Sequence, residues 1–174
     1  DNGTLFLDEI GEMSVGLQAK VLRALESKAF KRVGGTSNVY VNVRIVAATN
    51  RDLKKAVADG DFREDLFYRL SVVPVVIPPL RERPEDIAVL AEHFVVHFNK
   101  ELRKSMNVIS EKTMELLKGY AWPGNVRELR NVIERAILLG SGEAIEPDHL
   151  PLEILSRASS VETEANGLAD LAGG

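Results

Sequence analysis

Apolar and polar positions divide the chain into two halves of different character. Up to about residue 78, short continuous apolar runs alternate with stretches of helical period. The run Thr4–Leu7 predicts a short buried strand that stops at two adjacent acids, Asp8 and Glu9. Residues 14–27 predict a helix with Ser14 at its N-cap and Leu17, Val21 and Leu25 on one face. Two extended pieces then flank Gly34-Gly35, a turn signal. A second apolar run, VRIVAATN, stops at Thr49-Asn50, and Asp52 is placed to cap a short helix through Ala58. DFREDLFYRL predicts another short helix, and the β-branched VVPVVIP predicts a strand with Pro74 near an edge or bulge.

At Pro78, Pro79 and Pro84 the pattern changes to helices only. They are predicted over about 85–103, 111–119 and 126–139, with Pro84 in the first turn of the first. Asn125 is a candidate N-cap for the last, with Glu128 in capping-box register and Trp122-Pro123-Gly124 as a rigid elbow. Its apolar stripe is Val126, Leu129, Ile133, Ala136 and Ile137. After Leu155 small and polar residues dominate, the composition of a flexible linker. Buried runs between helical stretches indicate a mostly parallel α/β sheet followed by a small helical domain.

Composition narrows the functions. Of 174 residues, 45% are hydrophobic, enough for a core, and the net charge of −4 argues against a protein that coats nucleic acid. There is no cysteine, so there is no disulfide, thiolate metal site or thiol chemistry, which is compatible with a cytoplasmic setting. No apolar run approaches the ~20 residues that span a bilayer. Residue 1 is not Met and directly precedes a core strand, so the chain reads as part of something longer.

Ligands of open parallel sheets sit beyond the carboxyl ends of the strands. Asp8 and Glu9 end one run and Thr49 and Asn50 the other. A strand-end acid pair suits phosphoryl transfer, one carboxylate holding magnesium and the other polarising a water. The alternative is a pair of solvated turn residues. Asn50 could position a water or phosphate oxygen, or stabilise a turn through its own backbone. Arg127, in a first helical turn where the macrodipole disfavours a cation, could meet a phosphate or pair with Glu128. Asp65 and Arg69 have the spacing of a surface ion pair, and Arg63 would have to sit at or before its helix start to share a ligand with Arg69. His93 and His97 lack the sequence context of a zinc site and read as helix-surface residues.

Taken in order, GTLFLDEIGEMS, RVGG, NVRIVAATNRDL, GDFREDLFYRL, PPLRERPEDI and WPGNVRELRN resemble the NtrC-type AAA+ activators of sigma-54 RNA polymerase, the bacterial enhancer-binding proteins, over nearly all of residues 3–151. The resemblance implies a partial AAA+ P-loop NTPase core over 1–78, a helical lid over 79–152 and a linker over 153–174. It implies ATP and Mg2+ as cofactors. Asp8 and Glu9 match the Walker B acids, Thr49 and Asn50 sensor I, Arg63 and Arg69 the arginine fingers that reach a neighbouring subunit's ATP, and Arg127 sensor II. Arg32, Val33, Gly34, Gly35 and Thr36 match a surface loop near the ring pore. The implied partners are sigma-54 RNA polymerase holoenzyme, further copies in a ring that is commonly a hexamer, and enhancer DNA through a helix-turn-helix domain beyond residue 174. Neither the P-loop motif G-x-x-x-x-G-K-S/T nor the sigma-contacting Gly-Ala-Phe-Thr-Gly-Ala loop occurs in the 174 residues. In the family both precede the Walker B strand, so the chain alone is expected to be inactive. The competing readings are a non-catalytic ring-interaction module and another kind of AAA+ ATPase.

Overall fold

The computed structural model describes residues 2–31 and 34–156. They belong to two compact units, Asp1–Val75 and Val76–Gly174.

In the first unit β1 (Thr4–Leu7) leads through a 3-10 turn (Ile10–Glu12) to α1 (Val15–Ser27). The antiparallel ribbon β2 (Ala29–Lys31) and β3 (Asn38–Tyr40) follows, flanking the Gly34-Gly35 turn. β4 (Arg44–Ala47) then lies parallel to β1, with Leu5 opposite Ile45 and Leu7 opposite Ala47. The unit closes with α2 (Leu53–Ala58) and α3 (Glu64–Leu70). Asp52 caps α2 as expected, accepting from the Lys54 and Lys55 N–H groups. The core joins Ile10, Leu22, Ala56, Phe62 and Leu66.

Four expectations change over residues 1–78. β1 is not buried as expected: Leu5 and Phe6, which point to opposite sides of the strand, are 47% and 57% exposed, and only Leu7 packs against the core. Ser14 occupies the N-cap of α1, but its carbonyl rather than its hydroxyl makes the cap bonds, accepting from Leu17 and Gln18. The inward seam of α1 is turned by one position. Leu17 is exposed, Gln18 and Leu22 are buried, and Val21 and Leu25 are partly so. VVPVVIP forms no strand: no described strand runs beside it to share hydrogen bonds, Pro74 lacks an N–H, and its side chains stay exposed.

The second unit is a helical cluster. Pro84 occupies the first position of α4 (Pro84–Leu102), as the sequence predicts. β5 (Val108–Ile109) pairs in parallel with β6 (Ala144–Ile145), and between them lie α5 (Glu111–Gly119) and α6 (Asn125–Leu139). Phe98, Leu117, Trp122, Leu129, Ile133 and Ile137 are fully buried in one core. Ile154 and Leu155 also pack there, while residues 157–174 of the expected linker lie outside the described residues.

The elbow before α6 is built differently from the capping box expected. Gly124 takes the N-cap position, and Asn125 has a left-handed backbone (φ +51°). The Asn125 amide oxygen accepts the N–H of Leu80 at 2.8 Å, so it is not available to cap its own helix. Glu128 supplies half of a box one residue early, accepting from the Gly124 N–H at 2.8 Å and from the Tyr120 hydroxyl. Trp122, also left-handed, donates its indole N–H to the Leu117 carbonyl at 2.8 Å.

Candidate functional site

The parallel pairing of β1 and β4 brings their two strand ends to one edge. The Ala48 N–H bonds the Leu7 carbonyl at 2.8 Å, and the Ile10 N–H bonds the Ala48 carbonyl at 3.1 Å. Asp8 and Glu9 therefore leave the sheet beside Thr49 and Asn50. Asp8 accepts the Glu9 N–H at 2.9 Å, and Glu9 adopts a left-handed backbone (φ +53°). For a residue with a side chain that conformation costs about 1–2 kcal/mol. Both carboxylates are exposed, and neither pairs with a cation among the described residues.

The turn after the acids is wedged against the turn after β4. Gly11 is buried, and a Cβ there would lie 2.6 Å from the Thr49 hydroxyl oxygen. That hydroxyl accepts the Arg51 N–H at 3.1 Å. It is Thr49, then, that stabilises this turn through the backbone. The Asn50 amide is exposed and makes no hydrogen bond among the described residues.

Two residues of this frame escaped sequence reasoning. Arg51 donates to the Gly11 carbonyl at 2.8 Å and pairs with Asp61 at 3.3 Å. Gln18 is fully buried; its amide donates to the Met13 and Asp61 carbonyls, each at 2.9 Å, and accepts the Arg63 N–H at 2.8 Å. The available signal was a polar residue one turn before Leu22, inside an otherwise apolar seam.

Arg63 stands at the N-cap of α3, the position its sharing of a ligand with Arg69 would demand. Its guanidinium grips Asp65 with two bonds, of 3.0 and 2.7 Å. The predicted pair of Asp65 with Arg69 therefore does not form, and Arg69 makes only a long contact of 3.5 Å to the Leu25 carbonyl. The Arg63 hydrogen bond holds the Asp65 carboxyl below its ordinary range, and Asp65 in turn raises Arg63.

In the second unit, Arg127 lies exposed in the first turn of α6 and bonds to no described residue. The alternative pairing with Glu128 is absent, because that carboxylate holds Gly124 and Tyr120. Arg127 lines a shallow groove with Gly124, Glu128, Asn131 and Arg135. Of the loop residues singled out in the sequence, Gly34, Gly35 and Thr36 are exposed; Arg32 and Val33 lie outside the described residues. His97 meets Glu101 at 3.3 Å, a surface contact.

Among the described residues no group of three or more His, Cys, Asp or Glu side chains is arranged to hold a metal ion. The described residues therefore build no cage that would hold a metal by protein ligands alone. The exposed, unpaired strand-end acids fit magnesium instead, which binds through one or two carboxylates with waters and substrate phosphates.

Residues 1–76 match the Sigma-54 interaction domain, and residues 81–167 match the AAA+ ATPase lid domain. The fold and the two family matches thus define an AAA+ protein. More closely, the chain belongs to the NtrC-type family of sigma-54-dependent activators, and it spans under two fifths of the length of the relatives it matches. It is 56% identical over 149 residues to the nitrogen fixation protein VnfA of Azotobacter vinelandii, covering 86% of this chain and 28% of that protein. It is 49% identical over 174 residues to the regulatory protein AtoC of Escherichia coli, covering 98% and 38%. The crystal structure of NtrX from Brucella abortus in complex with ATP superposes with a TM-score of 0.80 at 44% identity, over 87% of this chain and 35% of that one.

Proposed function

We propose that this chain carries the hydrolytic part of an ATPase site in an activator of sigma-54 RNA polymerase. The observation that carries the reading is the shared strand edge, with unpaired Asp8 and Glu9 beside Thr49 and an unbonded Asn50. The complex of the related NtrX with ATP supports the choice of ligand. In this reading Asp8 holds Mg2+, and the ion offsets phosphate charge when bound. Glu9 orients and polarises the attacking water, while Thr49 and Asn50 position water and phosphate oxygens. Arg63 and Arg69 address the nucleotide of a neighbouring subunit, and Arg127 meets the phosphates from the lid. The subdomains are 1–78 and a lid from 79 that extends past the expected end at 152, since Ile154 and Leu155 pack into its core, with the linker following Ser156. Hydrolysis in a ring, commonly a hexamer, remodels the closed promoter complex in the cytoplasm, and a helix-turn-helix domain outside the 174 residues holds enhancer DNA.

Steady-state kinetics of the full-length protein test this. Replacing Glu9 by Gln keeps the side chain's shape and removes its basicity. It should lower kcat by about 10²–10⁴-fold while ATP affinity stays nearly constant. Wild-type kcat in Glu9→Gln would exclude the assigned role. The 174 residues by themselves have no G-x-x-x-x-G-K-S/T cradle for the phosphates, so calorimetry with ATP and Mg2+ should find negligible binding. Micromolar affinity would contradict this.

A further inference from the structure

We infer that Gln18 is a positioning residue for Arg63, fixing the backbone from which that arginine reaches out; the inference rests on the ATPase reading above. One carboxamide offers two donor hydrogens and an acceptor oxygen. At Gln18 all of these are engaged: Met13 O, Asp61 O and Arg63 N lie at 2.9, 2.9 and 2.8 Å. The three partners are backbone atoms from two separate loops, one after the Asp8–Glu9 turn and one leading into α3.

The chemistry leaves few substitutes. Gln18 is fully buried and its three bonds are part-buried, so an apolar replacement leaves the Met13 and Asp61 carbonyls and the Arg63 N–H without the partner that ties the two loops together. A carboxylate at position 18 could still accept from Arg63 but would face two carbonyls with no donor. An aliphatic side chain would make none of the three bonds. Arg51 braces the same loops from the outside, through Gly11 O and Asp61 Oδ2, yet does not reach Arg63. Arg63 is the N-cap residue, whose own N–H finds no acceptor inside α3. Gln18 therefore anchors the base of the side chain, while the exposed guanidinium can leave Asp65 for an anion.

The test is a double-mutant cycle on ATPase activity in the full-length protein, with Gln18→Met, Arg63→Ala and the pair. Gln18→Met preserves length and removes all three bonds. A misplaced catalytic group costs up to about 100-fold, so Gln18→Met should lower kcat by about 10–100-fold, with little change in KM for ATP. Arg63→Ala should lower it by about 10³-fold or more. Because Gln18 acts through Arg63, the double variant should fall within about threefold of Arg63→Ala alone. Multiplying effects, or an unchanged kcat in Gln18→Met, overturn the inference while leaving the ATPase reading standing. Wild-type kcat in Arg63→Ala instead removes the arginine's role, and with it both that part of the reading and the inference. Hydrogen exchange of the wild-type protein decides the geometry even if Gln18→Met fails to fold. The Arg63 amide should be protected by about 100-fold or more, and exchange at the unstructured rate overturns the inference.

Discussion

Replacing Gly11 by Ala adds one methyl group where the acid turn and the turn after β4 meet. The new Cβ would sit 2.6 Å from Thr49 Oγ1 and 3.1 and 3.2 Å from the Cβ and Cδ of Arg51, where ordinary contact begins at 3.4 Å. Neither neighbour is free to retreat. Rotating Thr49 removes its hydroxyl from the Arg51 N–H at 3.1 Å, and Arg51 is held by the Gly11 carbonyl and Asp61. Overpacking of this kind costs about 1–3 kcal/mol. Loss of the hydroxyl's bond adds about 1 kcal/mol. The expected destabilisation is about 2–4 kcal/mol, a large share of the roughly 5–15 kcal/mol that holds a typical domain together. Gly16 supplies the control. It lies in the first turn of α1 with open space around its Cβ position, so Gly16→Ala should stabilise by up to about 1 kcal/mol. Urea unfolding followed by circular dichroism reads both. With a slope of about 2 kcal/mol/M, the midpoint of Gly11→Ala should drop by about 1–2 M and that of Gly16→Ala should rise slightly. If Gly11→Ala melts like wild type while Gly16→Ala behaves as stated, the two turns are not wedged together, and the argument that Gly11 fixes Thr49 beside the acids fails.

The other expectations concern Arg63 and the elbow of the lid. Asp65 has a folded pKa below its unfolded value, so whatever the pair contributes is present above the unfolded carboxyl value and lost as pH falls through the folded one, at the acid end below about pH 4. An NMR titration of the Asp65 carboxyl should give a low midpoint that rises in Arg63→Ala; an unmoved midpoint means that the pair does not form in solution. At Asn125, substitution by Ala removes the acceptor of the Leu80 N–H and keeps a Cβ at positive φ, whereas Gly removes only the bond. Ala should therefore cost about 2–4 kcal/mol and Gly about 1–3 kcal/mol, the reverse of their order inside ordinary helices. Chemical denaturation that ranks Gly below Ala in stability would show that this backbone is not left-handed.

What could be read in the sequence depended on how far away a side chain's partner lies. Asp52 caps α2 through N–H groups two and three residues ahead, and a partner that close is visible in a string. Asn125 carries the same signal in sequence, yet it opens α6 with Gly124 as the N-cap and its amide is taken by Leu80, 45 residues earlier, so the local signal misleads. The sequence offered Arg69 alone as partner of Asp65, and the structure supplies Arg63. Helical spacing favours Arg69, but Arg63 precedes the helix with extended backbone (φ −72°, ψ 132°), which lets it fold over the first turn. VVPVVIP has the β-branched composition of a strand; composition supplies propensity, not a neighbour to bond. Gln18 was hidden because a polar residue in an apolar seam is ordinarily a departure from pattern, and only its partners from two loops give it a purpose. The strand-end residues lie between these extremes. That Asp8, Glu9, Thr49 and Asn50 share an edge follows from two apolar runs in a parallel sheet, which the sequence carries. Whether Asn50 is a turn former or a free ligand turns on one hydroxyl. Thr49 closes the turn, and the exposed Asn50 amide makes no hydrogen bond among the described residues, on the same strand edge as two carboxylates that no described cation neutralises.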